Sequence, residues 1–359
     1  MSGGVDSSVA AALLADQGHQ VVGATMKLWG GESDSGCCSV SDVEDARRVA
    51  AQLGIDHHVF NFTGEFDTHV VAPYVEAHRQ ALTPNPCIEC NRHIKFDRFL
   101  NRALRLGFDA MATGHHARVV YDGAREDGSA GHHARADQAA GGWHLLRGAD
   151  PAKDQSYVLS MLGQEQLSHL LLPVGTMTKE DVRCIAAQRG LRTASKPDSQ
   201  DVCFITSQAG REGFLRERIP FTPGRLVDAT SGDEVGTVEA LELVTVGQRR
   251  GIGHGPGGER RYVSRIDRVQ RIARVGTDRD LLDHRIGLRT LAWTDRPLAG
   301  GTPVEAQVSA HGVPLAAVFE ADGPSICFTE PQRRVAPGQT VAFYQGDRVL
   351  GSGIATGKE

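Results

Sequence analysis

Apolar residues in the first half of the chain alternate between helical and strand spacing. β-type runs cover residues 20–28, 57–62 and 108–114. Beside these runs, apolar side chains recur at helical spacing at Val9, Leu13 and Leu14 and again at Val43, Ala46, Ala50 and Leu53. Strands that alternate with helices imply a parallel sheet with crossover connections. The pattern therefore predicts a doubly wound parallel-sheet α/β domain, whose ligand site lies where strands end.

The pattern changes beyond about residue 205, where helical periodicity fades. Short β-type runs, separated by glycine and proline, cover residues 226–228, 241–246, 262–267, 272–276, 304–308, 315–319 and 340–344. This spacing is typical of small antiparallel barrels. We therefore expect three domains: a catalytic α/β domain over 1–206, a small β-rich domain over 207–280 and a β-barrel domain over 281–359.

A glycine- and serine-rich loop lies directly ahead of the first helical stretch, and its sequence is Ser2-Gly3-Gly4-Val5-Asp6-Ser7-Ser8. Glycines let backbone amides approach an anion, and the positive end of the next helix adds to the attraction. No lysine follows, so this is not the GxxxxGK[ST] loop. A buried strand normally precedes such a loop, and here only Met1 does. We therefore expect that the first strand is missing from this sequence.

Composition narrows the class of protein. Apolar residues make up 40% of the 359 residues and charged residues 23%, which are ordinary values for a globular protein. No apolar run is long enough to cross a membrane, and seven cysteines without a small secreted framework indicate a reducing, cytoplasmic compartment. Residues 249–274 hold eight arginines against Glu259 and Asp267, a stripe that attracts phosphates unless it is only a solvated face.

Two cysteine-bearing segments concentrate the remaining chemistry. The first spans residues 83–91 and carries Cys87 and Cys90; the second spans residues 196–205 and carries Cys203. Two prolines stiffen the first segment and leave Cys90 near a helix start, which favours the thiolate. A CxxC pair fits a redox pair, a zinc half-site or iron–sulfur ligation. A complete zinc site would need further ligands, and the sequence offers no second CxxC.

These segments carry a resemblance that covers nearly the whole chain. SGGVDSS, TPNPCIECN, ATGHH, KDQSY, DSQDVCFI and TVGQRRG occur in this order. In these motifs the chain resembles the tRNA-specific 2-thiouridylases, members of the PP-loop ATP pyrophosphatase superfamily. The resemblance implies ATP-dependent transfer of sulfur to C2 of the wobble uridine in tRNAs for lysine, glutamate and glutamine. ATP would first adenylate the uracil O2, and a persulfide sulfur would then replace it.

The resemblance also implies roles for individual residues. Cys203 would carry a persulfide delivered by a sulfur-relay protein, and Cys90 would be the nucleophile, ending in a transient Cys90–Cys203 disulfide. ATP, with Mg²⁺, would be bound by Ser2, Gly3, Gly4, Asp6, Ser7, Ser8, Met26 and Gly114. The tRNA would be contacted by Asn85, Pro86, Cys87, His115, Lys153, Asp154, Gln155 and Gln339.

The chain departs from the family pattern at two functional positions. Cys87 stands where many relatives carry an acid, so that carboxylate is absent unless Asp201 or another group replaces it. The turn at residues 309–312 replaces a more basic one, which puts that tRNA contact in doubt.

Alternatives to the thiouridylase interpretation stay open at this point. Cys87, Cys90 and Cys203 form a three-thiolate set that would suit an iron–sulfur cluster. Another PP-loop adenylating ligase, or a tRNA-binding iron–sulfur protein with impaired turnover, are the remaining interpretations.

Overall fold

The structure is a computed structural model that describes residues 1–29, 40–123, 141–198, 202–205 and 209–357. Asp201, the suggested substitute for the missing acid, lies outside these ranges.

The first four elements follow the predicted alternation of helix and strand. They are α1 (Val5–Asp16), β1 (Gly23–Lys27), α2 (Val40–Leu53) and β2 (His57–Asn61). β1 and β2 pair in parallel, with Gly23 opposite His57. Helix α1 buries Val5 and Val9 against Val182 of a later helix, and its other buried residues lie on nearly every side, so the helix that follows the phosphate loop is enclosed in the core.

Two long helices form the middle of the first domain, and each changes its winding along its length. The first comprises α3 (Thr63–Phe66), a π-helical segment Asp67–Val71 and α4 (Ala72–Arg79). The second comprises α5 (Pro86–Glu89), a π-helical segment Cys90–Phe99 and α6 (Leu100–Arg105). Wider π-helical turns are frequent at functional sites. In the described part of the chain, no helix is both long and apolar enough to cross a membrane.

The rest of the domain consists of short elements. They are β3 (Met111–Ala112), β4 (Ala117–Tyr121), β5 (Trp143–Arg147), α7 (Gln164–Leu167), β6 (Leu170–Leu171), α8 (Lys179–Gln188) and α9 (Gly210–Arg216), with 3₁₀ turns at Ser156–Leu159 and Arg192–Ser195. β3 and β6 pair in parallel, and β4 and β5 form an antiparallel hairpin. Parallel pairing joined by helices confirms the α/β class.

Met1 lies beside β1. Its amino group donates to the carbonyl of Ala24, and its carbonyl accepts a hydrogen bond of 2.6 Å from the Thr25 hydroxyl. The expectation that a strand is missing ahead of the loop is not tested by these contacts and stays a prediction.

The middle of the chain forms a four-stranded sheet in the order β8-β7-β10-β9. The strands are β7 (Gly224–Asp228), β8 (Glu234–Val238), β9 (Tyr262–Asp267) and β10 (Ile272–Gly276). Two expectations were wrong here. β7 and β10 pair in parallel rather than antiparallel, and residues 241–246 form a 3₁₀ turn at Leu241–Leu243 instead of a strand, because the turn buries the same apolar side chains.

The last part of the chain is a barrel, which six strands of the described residues close. The strands are β11 (Leu282–Trp293), β12 (Thr302–Gln307), β13 (Leu315–Glu320), β14 (Ser325–Arg333), β15 (Thr340–Gln345) and β16 (Arg348–Ala355). Their order is β11-β14-β13-β12-β15-β16, and β16 returns to β11. Phe319, Val341 and Phe343 fill the interior. The barrel predicted for this end of the chain is confirmed.

The barrel packs on the first domain through one continuous core. Ile88 and Phe96 of the cysteine-bearing helix share a cluster with Tyr157 and with Tyr344 and Val349 of the barrel. β5 also pairs with β16, where Leu146 lies opposite Arg348. The helix that carries Cys90 is therefore held between the α/β domain and the barrel.

Candidate active site

The predicted phosphate loop has a backbone that only glycine allows. Gly3 has φ of +69°, and a Cβ there would lie 2.3 Å from the carbonyl oxygen of Asp42. The Ser2 amide donates to the Ser7 hydroxyl at 3.1 Å, which closes the loop on itself. Because Val5 begins α1 directly after the loop, the first amides of that helix add to the loop as an anion site.

Ser8 differs from its neighbours in the loop. It is fully buried, and both its hydroxyl and its amide donate to the carbonyl of Gly4. These bonds hold the shape of the loop and leave the Ser8 hydroxyl turned toward the helix.

Asp6 is enclosed by a histidine ring and a lysine ammonium group. His116 Nε2 lies 3.1 Å from its Oδ1, and Lys179 Nζ lies 2.8 Å from both of its carboxylate oxygens. Burial alone would raise the pKa of Asp6, but the hydrogen bonds from His116 and Lys179 hold it below its ordinary value. The carboxylate is therefore ionised at neutral pH, at the point where nucleotide phosphates would arrive.

Gly114 and Met26 border the loop from two strand ends. A Cβ at Gly114 would lie 2.6 Å from the Asp6 carbonyl carbon and from the Ser7 amide nitrogen, so the backbone passes directly against the loop. Met26 is half-buried on β1. Both residues line the same cavity as the loop, as their predicted role in adenosine binding requires.

That cavity has a volume of about 1770 Å³. Typical small-ligand sites hold roughly 300–1,000 Å³, so this one has room for more than a nucleotide. Its walls include the phosphate loop, the segment around Cys87 and Cys90, Cys203, and the barrel residues Ala310 and His311. The turn at 309–312 thus reaches the cavity although it lacks the basic residues of the family pattern.

The structure brings the two predicted catalytic cysteines together. Cys90 is 7% exposed and belongs to an apolar cluster with Phe66 and Ile94, and Cys203 packs against the same cluster. Cys90 and Cys203 both line the cavity, and so does Cys87. Cys90 and Cys203, which lie 113 positions apart in the chain, therefore border one space.

Cys90 was expected near the start of a helix, but the residue in the first helical turn is Cys87. Asn85 is the N-cap of α5, and its side-chain oxygen accepts from the amides of Cys87 and Ile88. Cys87 therefore lies in the first turn and is exposed, whereas Cys90 begins the π-helical segment one turn later. Pro86 is buried beneath them.

The predicted tRNA-contacting turn at residues 153–155 has side chains of unequal accessibility. Asp154 is 8% exposed; it pairs with Arg147 at 2.9 Å and accepts from the Gly148 and Ser156 amides. Gln155 accepts from the His116 amide at 2.9 Å. The Lys153 side chain is 38% exposed, and Gln155 is an exposed residue. Asp154 therefore shapes the turn from within, whereas Lys153 and Gln155 stay accessible from solvent.

His115 lines the cavity, whereas Gln339 is not among its lining residues. His115 is half-buried in the cavity wall, and its Nδ1 is 2.8 Å from the Thr113 hydroxyl. Burial, helped by the Lys95 cation, lowers the pKa of His115 well below its usual value, so its ring is neutral at pH 7. Gln339 follows Pro337, whose carbonyl accepts from the Thr83 amide at 2.7 Å. The barrel turn that carries Gln339 therefore meets the segment leading to Asn85.

Comparison with known proteins identifies the family. Family models described as the tRNA methyl transferase HUP domain, the tRNA methyl transferase PRC-barrel domain and the aminomethyltransferase beta-barrel domain match residues 1–207, 212–277 and 284–355. The tRNA-specific 2-thiouridylase MnmA of Chloroflexus aurantiacus is 46% identical over 98% of this chain and 96% of its own length. The namesake proteins of a Roseiflexus species and Mycobacteroides abscessus are 44% and 43% identical, covering 98% and 99% of this chain and 97% and 98% of their own lengths.

The chain belongs to the tRNA-specific 2-thiouridylase family. The resemblance found in its motifs is confirmed, and so is the order of a PP-loop domain followed by two β-rich domains.

The iron–sulfur alternative does not fit this 2-thiouridylase structure. No group of three cysteine, histidine or acidic side chains in the described residues is arranged to hold a metal ion, and Cys87, Cys90 and Cys203 are all described. We derive no step through a cluster.

Sequence reasoning missed three residues of this 2-thiouridylase site: His116, Lys179 and Asp198. Asp6 binds the first two, and Lys179 Nζ lies 2.8 Å from Asp198. Lys179 carried a usable signal, because it is the first residue of α8, where the helix dipole disfavours a cation. A residue that breaks a local rule in this way is a candidate for function.

Proposed function

We propose that this protein catalyses ATP-dependent 2-thiolation of the wobble uridine in tRNAs for lysine, glutamate and glutamine. The observation that carries the proposal is that the phosphate loop, Cys90 and Cys203 line one cavity. A site of this kind can activate an oxygen with ATP and deliver sulfur to the same carbon without moving the base.

The first step uses the phosphate loop. The uracil O2 attacks the α-phosphorus of ATP, the bond from that phosphorus to the bridging oxygen breaks, and pyrophosphate leaves. The loop amides and Lys179 stabilise the charge that develops on the departing group, as preorganised donors do in phosphoryl transfer. The oxygen at C2 then leaves as AMP, a far better leaving group than oxide.

The second step uses the cysteine pair. The terminal sulfur of a Cys203 persulfide attacks C2 and displaces AMP. The Cys90 thiolate then attacks the Cys203 sulfur, the persulfide S–S bond breaks, and its electron pair stays on the sulfur that becomes the thiocarbonyl. A Cys90–Cys203 disulfide remains, and an external thiol reductant returns it to two thiols. The packing of both cysteines on one apolar cluster supports this pairing.

Mg²⁺ is expected with the nucleotide. It usually binds through one or two carboxylates together with substrate phosphates, and the ionised Asp6 beside the loop fits that requirement. When bound, the ion would neutralise charge on the departing pyrophosphate.

The arginine stripe of the middle domain supports tRNA as the substrate. Arg261 pairs with Asp228 and is 12% exposed, so it has a structural role. Exposed side chains remain at Arg249, Arg250, Arg260, Arg265, Arg268 and Arg271. Cations on one small domain attract a phosphate backbone without reading its sequence. We expect salt-sensitive tRNA binding, with a separate sulfur-relay protein loading Cys203.

Two further features favour sulfur transfer in the cytoplasm. The domain descriptions mention methyl transfer, but a methyl transfer gives no role to a buried thiol beside a second thiol and an ATP-type loop. Cys184 and Cys327 carry thiols that form no disulfide among the described residues, which fits a reducing compartment.

The proposal is tested with a reconstituted assay that contains ATP, unmodified tRNA and a persulfide source. Cys90→Ala and Cys203→Ala should each abolish 2-thiouridine, measured by mass spectrometry of digested tRNA, while tRNA affinity changes less than about twofold. Cys184→Ala, which changes an exposed thiol on α8, is the matched control and should keep full activity. Full activity of either catalytic-cysteine variant would contradict the assigned roles.

A further inference from the structure

One carboxylate beside the phosphate loop receives three cations. Asp198 lies 2.8 Å from Lys153 Nζ, 2.8 Å from Lys179 Nζ and 3.0 Å from Arg183 Nη2. Its side chain is only 23% exposed and that of Lys179 only 11%, so these contacts are poorly screened by solvent. Hydrogen bonds from Lys153 and Lys179 overcome the effect of burial and lower the pKa of Asp198 to about 2. The carboxylate is therefore charged throughout the physiological range.

Lys179 connects Asp198 to the phosphate loop. Its Nζ lies 2.8 Å from Asp6 Oδ1, 2.8 Å from Asp6 Oδ2 and 2.8 Å from Asp198 Oδ1. A lysine ammonium has three donors, and here they face two acids on different segments of the chain. The α8 backbone fixes where the side chain starts, because Thr178 caps the helix and the Lys179 amide donates to Asp150.

Lys153 connects the same carboxylate to the turn at residues 153–155. A second route joins this turn to the loop, since Gln155 accepts from the His116 amide and the His116 ring reaches Asp6. The 153–155 turn and the phosphate loop are thus tied through Asp198 on one side and His116 on the other. All of Asp6, Lys153, Lys179 and Asp198 line the cavity.

We propose that Asp198 is a positioning residue, whose single carboxylate holds Lys179 toward the phosphates of bound nucleotide and Lys153 toward the backbone of bound tRNA. This inference rests on the proposed function and deepens it, because it assigns one residue to the preorganisation of both substrates. Two long, flexible side chains would otherwise lose rotamer freedom when each ligand binds.

The direction in which anion affinity changes distinguishes positioning by Asp198 from a purely long-range electrostatic effect. Removing an acid beside a phosphate site should strengthen anion binding if only long-range electrostatics matter. If Asp198 acts by positioning, removing its charge releases Lys153 and leaves Lys179 bound to Asp6 alone, so that binding of both anions weakens. Asp198→Asn therefore gives opposite results under the two explanations.

Dissociation constants for a non-hydrolysable ATP analogue and for unmodified tRNA should be measured separately at fixed salt. For Asp198→Asn we expect both to rise about tenfold, the effect of losing a charged hydrogen bond for each ligand. Asp198→Glu keeps the carboxylate and should restore most of both affinities. Lys153→Met should weaken tRNA binding alone.

Asp45→Asn is the matched control. Asp45 is also 23% exposed and pairs with Lys196, which Asp42 continues to hold after the change. The variant removes the same charge near the loop without releasing Lys153 or Lys179, so both affinities should stay within about twofold of the wild type.

Three results would overturn the positioning role: unchanged or tighter binding of either ligand by Asp198→Asn, equal weakening by Asp45→Asn, or loss of nucleotide binding in Lys153→Met. Thiolation by the wild-type protein tests the proposed function, whereas ratios of dissociation constants between variants test the positioning of the lysines. The two ideas can therefore fail separately.

Discussion

Close contacts around the phosphate loop limit which substitutions its glycines tolerate. Gly3 and Gly114 approach backbone atoms of Asp42, Asp6 and Ser7 so closely that a methyl group would overlap them. Such overlap cannot be relieved by rotating a side chain, because the neighbouring atoms are backbone. The loop is therefore held in shape by residues that touch no substrate through a side chain.

Gly114→Ala tests this directly. The added Cβ would lie 2.6 Å from Asp6 and Ser7 backbone atoms, which must move and take the loop amides with them. We expect nucleotide affinity to fall about tenfold or more, with overpacking costing about 1–3 kcal/mol. Isothermal titration with an ATP analogue measures the change. Gly64→Ala is the control, since nothing lies within 4 Å of a Cβ there; equal affinity in both variants would be inconsistent with the assigned contact.

At the scale of elements, α4 meets the 3₁₀ turn of the middle domain through a buried histidine. His78 is 3% exposed, and its Nδ1 lies 3.4 Å from the carbonyl oxygen of Glu242. Burial, with a contribution from the Arg211 charge, lowers the pKa of His78 to about 4. The ring is therefore neutral at pH 7 because burial, rather than its hydrogen bond to Glu242, disfavours the charged form.

This contact predicts a pH dependence of stability. Between about pH 6.5 and pH 4 the unfolded chain protonates His78 while the folded protein does not, so the free energy of unfolding falls as pH falls through this window. His78→Gln should make that fall shallower in denaturant titrations from pH 7 to pH 4.5. His284→Gln, an exposed change on β11, should leave the slope as it is. An identical slope in His78→Gln would refute the assignment.

Elements differ in how well the sequence predicts them. Strands at 262–267 and 272–276 match β9 and β10, because alternation and flanking turn residues agree there. The strand predicted at 241–246 was wrong because a short apolar run buries its side chains equally well in a turn. The π-helical winding at Cys90–Phe99 has no local signal in the sequence, and side chains of this segment pack into two different clusters.

The candidate site also has parts that the sequence predicts and parts that only the folded chain shows. Motifs located the loop and both cysteines, since each carries its chemistry within a few residues. The Asp6–Lys179 contact joins residues 173 positions apart, so only the folded chain shows it. Asp154 was expected at the tRNA surface, and its burial depends on Arg147 and on the barrel residue Gln307, which bonds Arg147 at 2.9 Å.

At the scale of the whole molecule, the α/β domain and the barrel border the cavity in which both chemical steps would occur. The α/β domain supplies the phosphate loop, the helix between that domain and the barrel supplies Cys90, and the barrel turn with Ala310 and His311 borders the cavity. Arg147 packs on the Tyr344 ring of the barrel at 3.7 Å, which fixes one domain against the other beside the 153–155 turn. Adenylation and sulfur transfer can then act on one base in one position.

We propose that the uracil oxygen activated by ATP and the sulfur carried by cysteine meet in this one cavity. A single-turnover experiment tests it: protein loaded with radioactive persulfide sulfur on Cys203 is mixed with unmodified tRNA, with and without ATP. We expect the label to move to 2-thiouridine only when ATP is present, with one AMP formed for each sulfur transferred. Label that reaches tRNA without ATP, or stays on the protein when ATP is consumed, would contradict it.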